Sequence, residues 1–281
     1  QWIKLGFVPK SRDSGIFMYP NRNYHRLFRY YASCDVRPAT EEELNRHREK
    51  TRERQKIYLE KKKKEKRRQK RQKEIYDLCS QQAEIAKTVL NEMKAPLTRQ
   101  IVIDLETTGL NPCENEILQI AVLDVNSGET LLDTLIRPYF KEDWYAAHIV
   151  NGITEEMTET APYIFEVLPQ LNQILAEAKT IIGYNILQFD RIFLDIFGAV
   201  YPPDTEFVDI MPVFAEIYGE WSEKYSDYKF QSLSTCTEYY GYNWGSDKAH
   251  HALADCRATA FCYKKILETN FCFMKDDYDK F

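Results

Sequence analysis

Residues 41–95 contain neither glycine nor proline, the two residues that most often interrupt regular structure. A run of this length favours a single long helix. Thr40 followed by Glu43 resembles the capping box that begins a helix, and Glu41, Glu42 and Glu43 suit the helix N-terminus. The sequence therefore predicts one helix over residues 41–95, with a different segment of chain on each side of it.

The charges of the chain are divided between its two halves. Residues 1–97 hold 25 of the 38 Lys and Arg residues and 13 of the 43 Asp and Glu residues, a net charge of +12. Residues 98–281 hold the remaining 13 and 30, a net charge of −17. The formal total of −5 therefore averages a basic half and an acidic half, and this asymmetry hints at nucleic-acid partners.

Most of the positive charge lies on the predicted helix. From Arg46 to Lys73 there are 16 Lys and Arg residues against 4 Glu. The Lys and Arg side chains repel one another along this segment, so we expect it to be only partly helical until the charge is neutralised. Two interpretations stay open: phosphate binding driven by counterion release, or a solvated spacer. After this segment, an apolar stripe at helical spacing indicates packing against another part of the chain: Ile75, Cys79, Gln82, Ala86, Val89, Leu90 and Met93.

Residues 1–40 interleave aromatic and arginine side chains. The aromatic residues are Trp2, Phe7, Phe17, Tyr19, Tyr24, Phe28, Tyr30 and Tyr31, and the arginines include Arg12, Arg22, Arg26 and Arg29. Pro9, Gly15 and Pro20 divide the segment into short pieces, which favours strands and turns. Such side chains can stack on bases and neutralise phosphates, or they can form a small aromatic core with a solvated rim. Both interpretations stay open.

Residues 98–270 have the pattern of an α/β domain. Five runs of strand length, rich in β-branched residues, are the predicted strands: 100–104, 116–125, 130–137, 179–184 and 206–210. Helical patterns lie near residues 162–178, 187–198, 211–219, 231–240 and 252–267. The first three strands follow one another by short turns and predict an antiparallel meander. The later strands alternate with helices and predict parallel crossovers.

Two carboxylates stand at the end of the first of these strands. Asp104 and Glu106 are two residues apart, so strand alternation directs both to one face and Leu105 to the other. Two carboxylates on one face repel each other unless a cation or a proton compensates. Oxygen ligands at this spacing suit Mg²⁺ or Mn²⁺ rather than zinc. Alone, an Asp-x-Glu pair is common and is often a solvated edge.

Two later segments carry further acidic residues beside apolar stripes. Asp190 falls near the start of a helix whose buried stripe includes Phe189 and Phe193. Asp255 falls on the first turn of the last helix, and His250 falls on the loop before it. Both acidic residues are therefore expected to flank the core of the domain.

The segments DLETTG, GYNILQFDRIFL and HHALADCRAT, in this order, resemble the three motifs of the DEDDh family of exonucleases. That family includes the epsilon-type proofreading subunits of bacterial replicative polymerases, RNase T and oligoribonuclease. The resemblance covers residues 98–270 and implies an RNase H-like α/β fold, a mixed five-stranded sheet flanked by helices. Here this fold would follow a small aromatic-rich N-terminal module and the long basic helix. The resemblance also implies removal of nucleotides from 3′ ends with two divalent ions, Mg²⁺ or Mn²⁺.

The resemblance implies a role for each motif residue. Asp104, Glu106, Asp190 and Asp255 would be the metal ligands, with Asp104 on both ions, Glu106 and Asp255 on one, and Asp190 on the other. His250 stands at the H-x4-D position before Asp255 and would act as general base, a role that suits an imidazole at neutral pH. The residues expected to bind substrate are Thr107, Thr108, Gly109, Leu110 and Asn185. Leu110 resembles the apolar residue that packs on the terminal base, and a core leucine is the alternative.

The sequence departs from the family pattern at two places. Three residues separate Asn185 from Phe189, as in the proofreading domains of B-family polymerases, where many bacterial members have two. Asn151 stands where the family has the His of an H-G-I-T turn, which concerns substrate contacts more than metal binding. His251 is expected at a phosphate or at the plain surface. His25 and His148 are expected to be structural or exposed rather than catalytic.

The predicted activity is a metal-dependent 3′–5′ exonuclease that hydrolyses phosphodiester bonds of single-stranded DNA. The alternatives are an exoribonuclease and a nucleic-acid-binding replication accessory module with little catalysis. A binding-only exonuclease-like fold is disfavoured because all four acids and the histidine are present. The expected partners are a DNA or RNA 3′ end and a DNA polymerase or another replication or repair protein.

The predicted organisation is a module over residues 1–40, a helix over 41–97, an exonuclease domain over 98–270 and a tail over 271–281. Seven scattered cysteines without a C-x-x-C pair favour a reducing interior over a disulfide framework. No apolar run is long enough to span a membrane, so we expect a cytoplasmic location and no membrane partner. The chain begins with Gln1 rather than Met, and we expect a piece of a longer protein.

Overall fold

The computed structural model describes residues 2–11, 13, 15–18, 28–92, 97–245 and 249–269. The chain divides into two compact units, residues 1–67 and 68–281. One helix, α1 (Glu41–Glu92), contributes to both units. The division therefore falls inside this helix, whereas the domain boundaries at residues 40, 97 and 270 stay predictions. His25 and the tail over 271–281 lie outside the described residues.

The first unit contains short paired strands before the helix. The pairs are antiparallel: β1 (Phe7–Pro9) with β4 (Val36–Pro38), and β2 (Ile16–Met18) with β3 (Phe28–Tyr30). Single 3₁₀ turns cover Trp2–Leu5 and Ser33–Asp35. Strands and turns are therefore present where the punctuation by proline and glycine predicted them.

The aromatic side chains described in this unit are mostly exposed. Phe7, Phe17, Phe28 and Tyr30 are at least 37% exposed, and the Arg29 guanidinium lies 4.4 Å from the centre of the Phe17 ring. Among the described residues of 2–40, Val36 is the single buried apolar side chain. The described part of the segment thus has no aromatic core, and its rings stay accessible.

Helix α1 begins at the capping box expected from the sequence. The Thr40 N–H donates to Glu43 Oε2 at 2.9 Å, and the Glu43 N–H donates to Thr40 Oγ1 at 3.3 Å. Arg37 also pairs with the Glu43 carboxylate at 2.8 Å. The chain is therefore fixed where it enters the helix, and this basic helix is formed over most of its expected length.

The two ends of α1 differ in burial. Every residue from Arg48 to Arg67 is exposed, whereas Ile75, Cys79 and Ala83 are buried in the core of the second unit. The stripe predicted from the sequence was right at Ile75 and Cys79. Further along, the predicted Gln82, Ala86 and Leu90 are half-buried, whereas Ala83, which was not predicted, is buried and Val89 is 53% exposed. Met93 lies outside the described residues.

The second unit is built on a mixed sheet of five strands. The strands are β5 (Arg99–Thr107), β6 (Ile117–Asp124), β7 (Thr130–Leu135), β8 (Ala178–Gly183) and β9 (Glu206–Asp209). Their order is β7-β6-β5-β8-β9. Strands β5, β6 and β7 pair antiparallel, and β8 and β9 add in parallel to β5. The predicted meander followed by crossovers is confirmed.

Seven helices accompany this sheet in the described residues. They are α2 (Tyr145–Asn151), α3 (Glu155–Thr158), α4 (Ile164–Leu175), α5 (Asp190–Ile196), α6 (Ile210–Tyr218), α7 (Leu233–Tyr240) and α8 (Ala252–Glu268). A short hairpin, β10 (Trp221–Ser222) and β11 (Asp227–Tyr228), follows α6. Five of the helices match predicted ones, whereas α2 and α3 were not predicted.

The two faces of the sheet carry separate apolar layers. On one face Ile101, Ile103 and Leu105 of β5 pack with α4, α5 and the buried residues of α1. Gly198 lies against the α1 backbone, since a Cβ there would meet the Cys79 carbonyl oxygen at 2.8 Å and its φ is +89°. On the other face Val102 packs with α8. Asp104 and Glu106 share the face of Val102 because side chains alternate along a strand.

Candidate active site

Helix α8 lies directly on the sheet beside Asp104 and Glu106. Its contact residues Ala252, Cys256 and Ala260 are small, so the helix approaches β5 and β6 closely. The Cys256 thiol lies 3.4 Å from the Ala121 carbonyl oxygen. This packing places Asp255, on the first turn of α8, next to the end of β5.

Gln119 fixes the beginning of α8. It lies opposite Glu106 in the pairing of β5 with β6, and it is buried. Its Oε1 accepts from the Ala252 N–H at 3.3 Å, and its Nε2 donates to Asp133 Oδ1 at 2.8 Å. The first helical N–H groups need such acceptors, so Gln119 fixes the beginning of α8 to β6, directly opposite Glu106 of β5.

Asp190 is brought to the same place from the other face of the sheet. It is the first residue of α5 and is 3% exposed. Its Oδ1 accepts a hydrogen bond from the Leu105 N–H, between the two strand carboxylates, at 3.0 Å. The structure therefore brings all four acidic residues named from the sequence together.

His250 and Asp255 are joined through the backbone. The His250 N–H donates to Asp255 Oδ2 at 3.1 Å, and His250 has a φ of +65°, which turns the chain sharply before α8. Ligand atoms of Glu106, His250 and Asp255 lie within 4.8 Å of one another. His250 is exposed at the surface of the cluster, whereas Asp255 is buried.

The pKa of each of the four carboxyl groups is raised, chiefly by burial. Burial first, and then Asp190, Asp255 and Glu106, raise the pKa of Asp104 well above its usual value. Burial and Asp255 raise the pKa of Glu106 to about 7, and burial raises the pKa of Asp255 to about 6. Burial also raises the pKa of Asp190, although the Leu105 N–H opposes the shift. The negative charge is thus under-compensated by the protein itself.

The cluster fits divalent cations. All four acidic side chains offer oxygen ligands, which Mg²⁺ and Mn²⁺ prefer. Asp255 Oδ1 is buried and has no hydrogen-bond partner among the described residues. A buried carboxylate oxygen without a partner is costly, and a bound cation would remove that cost.

The turn after β5 is held by its own hydroxyl groups. Thr107 Oγ1 donates to the Gly109 carbonyl oxygen at 2.9 Å, and Thr108 Oγ1 accepts from the Glu116 N–H at 2.8 Å. At Gly109 a Cβ would meet the Asn115 side chain at 2.7 Å, so only glycine fits. Leu110 is 84% exposed, which excludes the interpretation as a core leucine.

Asn151 contacts the carboxylate cluster from α2. Its Nδ2 donates to the Thr107 carbonyl oxygen at 3.3 Å, and its side chain also hydrogen-bonds to Glu106 and lowers the pKa of that carboxyl. The sequence assigned Asn151 to substrate contacts, whereas the structure shows it beside a carboxylate of the site.

Asp209 is a site residue that the sequence did not indicate. It ends β9, is buried, and accepts hydrogen bonds from the N–H groups of Asn185 (2.8 Å), Leu187 (3.2 Å) and Met211 (3.1 Å). Asn185 has a φ of +65°, which Asn tolerates better than most residues, and the hydrogen bond from its N–H supports this conformation. Asp209 therefore shapes the loop that leads from β8 to Asp190.

Replacing Asp209 by Ala should weaken metal-dependent activity by about 10–100-fold, the usual cost of losing a group that positions a ligand. The three N–H groups would lose their acceptor and the loop would release Asp190. The measurement is activity as a function of Mg²⁺ concentration, with Asp204→Ala in the exposed loop before β9 as control. If the melting temperature falls and the Mg²⁺ requirement is unchanged, Asp209 has no positioning role.

The metal-free protein should lose stability as the pH rises from about 5 to about 8. The ordinary pKa of Glu is 4.5 and the folded pKa of Glu106 is about 7, so unfolding releases protons in this range. Divalent cations should therefore raise the melting temperature most at the upper end of the range. The measurement is a thermal melt with and without Mn²⁺, and Glu106→Gln should flatten the metal-free profile. A metal-free melting temperature that increases with pH contradicts this account.

Of the other described histidines, His251 touches the carboxylate cluster, because its carbonyl oxygen accepts from the Asp255 N–H at 3.0 Å and its charge lowers the pKa of Asp255. His148 donates from Nδ1 to the Ile153 carbonyl oxygen at 3.3 Å, a structural bond at the end of α2. His251 is exposed at the position before α8. Among the helices that the structure describes, none is both long enough and apolar enough to cross a membrane.

Comparison with known proteins identifies the class of this domain. The family model of RNase T-type exonucleases matches residues 101–263, more than half of the chain. The chain therefore belongs to the exonuclease family, and the resemblance to DEDDh exonucleases is confirmed. The metal dependence of this family agrees with the carboxylate and histidine cluster.

Three relatives illustrate the similarity. The DNA polymerase III PolC-type of Thermotoga maritima is 32% identical over 179 residues, 60% of this chain and 12% of that protein. The exonuclease CP81 of Escherichia phage 186 is 32% identical over 168 residues, 57% of this chain and 84% of the phage protein. The DNA polymerase III subunit epsilon-like protein of Rhodobacter capsulatus is 31% identical over 176 residues, 59% of this chain and 23% of that protein.

A solved structure shares the fold. E. coli Exonuclease I in complex with a dA16 oligonucleotide has a TM-score of 0.50 at 22% identity, over 61% of this chain and 41% of that protein. This likeness confirms the RNase H-like exonuclease fold of the second unit. The chain spans only 12% of the length of the PolC-type relatives.

Proposed function

We propose that this protein is a 3′–5′ exonuclease that hydrolyses single-stranded DNA from its 3′ end. The observation that carries the proposal is the convergence of Asp104, Glu106, Asp190 and Asp255, with His250 beside them. Three separate elements supply these groups to one place. The PolC-type and epsilon-like relatives, and Exonuclease I with its bound oligonucleotide, support DNA as the substrate.

The four carboxylates hold two divalent cations, Mg²⁺ or Mn²⁺, in this proposal. Such a pair of cations stabilises the attacking and leaving oxygens of an in-line phosphoryl displacement. Asp104 contributes from the central strand, where its raised pKa reports three neighbouring carboxylates. Asp255 offers its unpartnered Oδ1. Asp190 offers the carboxylate that the Leu105 N–H already orients.

His250 acts as general base. Its imidazole is exposed and close to Glu106 and Asp255, so a ring nitrogen can accept the proton of the attacking water. The backbone bond to Asp255 fixes the loop that carries the ring. The proton then leaves to solvent from an exposed side chain.

The turn after β5 receives the terminal nucleotide. Leu110 presents an exposed apolar side chain that can pack on a base, while Thr107 and Thr108 hold the turn that carries it. Gly109 leaves its backbone accessible to the substrate. Asn185 completes the binding residues from the loop that Asp209 shapes.

The partners in this proposal are a 3′ end and a DNA polymerase or another replication or repair protein, at a cytoplasmic location. The polymerase partner is suggested by the PolC-type and epsilon-like relatives, which are DNA polymerase III proteins by name.

A comparison of matched DNA and RNA oligonucleotides tests the substrate. We expect kcat/KM for single-stranded DNA to exceed that for RNA of the same sequence by about tenfold or more. RNA shortened as fast as DNA would instead indicate an exoribonuclease. Binding of both without shortening of either would contradict the enzymatic proposal and leave a binding module.

A further inference from the structure

The exposed part of α1 is a helix without support from packing. All twenty residues from Arg48 to Arg67 are exposed, and they include eleven Lys and Arg residues against four Glu. Helices in proteins gain most of their stability from packing of a face, and like charges three or four residues apart oppose helix formation. A helix of this composition would therefore gain stability from a ligand that brings negative charge to it.

Five of the eleven Lys and Arg residues of this segment form a line along the helix. Successive members are separated by four, four, seven and three residues, the spacings that keep side chains on one face of a helix. The members of this cationic line are Arg48, Arg52, Lys56, Lys63 and Lys66. The line extends about 27 Å along the helix at about 1.5 Å per residue. Glu49 and Glu53 flank this line, and Glu60 lies within it, between Lys56 and Lys63, so the line keeps a net positive charge of +4.

We propose that the cationic line binds the phosphate backbone of a nucleic-acid strand. A row of regularly spaced phosphates is complementary to a row of cations, and release of condensed counterions favours the complex. The inference rests on the proposed function only in taking a nucleic acid as the substrate of the enzyme. The acidic C-terminal part of the chain, net −17 over residues 98–281, repels such a strand, and the cationic line counteracts this repulsion.

The exposed apolar residues of the segment argue against a membrane surface. A helix that lies on a membrane needs an apolar face opposite its cations. Here the apolar side chains are the consecutive residues Ile57, Tyr58 and Leu59, which point in different directions around the helix. They also lack the heptad repeat that would join two copies of the helix as a coiled coil.

The test is equilibrium binding of a fluorescein-labelled oligothymidylate to the full chain in a chelating buffer, at several salt concentrations. The line variant replaces Arg48, Arg52, Lys56, Lys63 and Lys66 by Gln. The control variant has the same net charge and an intact line, and replaces Lys50, Arg54, Lys61, Lys64 and Arg68, on the opposite face of the helix, by Gln. Circular dichroism compares the helix content of the two variants.

We expect the line variant to reduce the slope of log K against log salt by about 3.5, because each phosphate contact on a single strand contributes about 0.7. The control variant should change the slope by less than about 1. An unchanged slope in the line variant, or equal changes in both variants, would overturn the proposal. Binding to vesicles of phosphatidylcholine and phosphatidylserine that is as tight as binding to the oligothymidylate would also overturn the proposal. Because the assay needs no metal and no turnover, its failure is distinct from failure of the exonuclease proposal.

Discussion

Asp104→Asn is expected to reduce the exonuclease rate by about a thousand-fold or more, which corresponds to about 4 kcal/mol of transition-state stabilisation. Asp104 is the half-buried carboxylate that faces the three other acids, so its loss weakens the site for cations most. The measurement is kcat on a single-stranded oligonucleotide at saturating Mg²⁺. A variant that keeps more than a tenth of the rate would contradict the assignment.

The same substitution should stabilise the metal-free protein. Removing this carboxylate relieves the desolvation and the repulsion that together raise the pKa of Asp104 well above its usual value. Each kcal/mol gained corresponds to about 2–4 °C in melting temperature for a unit of this size. Glu129→Gln, in the exposed turn between β6 and β7, is the control and should change neither rate nor stability. A rate loss accompanied by unfolding would leave the role of Asp104 purely structural.

His250→Asn should lower kcat by about 10²–10⁴-fold, the usual contribution of a general base. Asn tolerates the positive φ of this position better than most residues, so the loop and its bond to Asp255 are kept. His251→Asn is the neighbouring control and should leave kcat nearly unchanged.

The Mg²⁺ dependence of His250→Asn separates two roles. His250 lies within ligand distance of Glu106 and Asp255, so it can be a base or a metal ligand by position. If His250 is a base, its loss should leave the half-saturating Mg²⁺ concentration within about threefold of that of the unchanged protein. This change is well below the 10–100-fold cost of disturbing a metal site. A rise of about tenfold or more would instead assign His250 to the metal.

The sequence predicts the framework of the site well because strands and amphipathic helices leave periodic signals. The alternation around Leu105 correctly placed Asp104 and Glu106 on one face, and the apolar stripes correctly placed Asp190 and Asp255 at helix starts. The antiparallel meander of the first three strands and the parallel addition of the later two followed from connection lengths. These features depend on local patterns, which a single sequence contains.

The supporting residues could not be found in this way. Asp209 is one acid at the end of a predicted strand, and only the fold shows that its carboxylate collects three N–H groups from two segments. Helix α2 is seven residues long and too short for a clear period, so the contact of Asn151 with Glu106 was not visible. Likewise, Ala83 rather than Gln82 is buried because contact with the core decides burial at the end of α1.

The central claim is that these carboxylates support metal-dependent hydrolysis from the 3′ end. The most direct measurement follows a 5′-labelled single-stranded DNA over time with Mg²⁺, with a chelator, and with Asp104→Asn. The account predicts a ladder of products shortened one nucleotide at a time from the 3′ end, only for the unchanged protein with Mg²⁺. Products that persist with the chelator or with Asp104→Asn, or shortening that starts at the 5′ end, would contradict it.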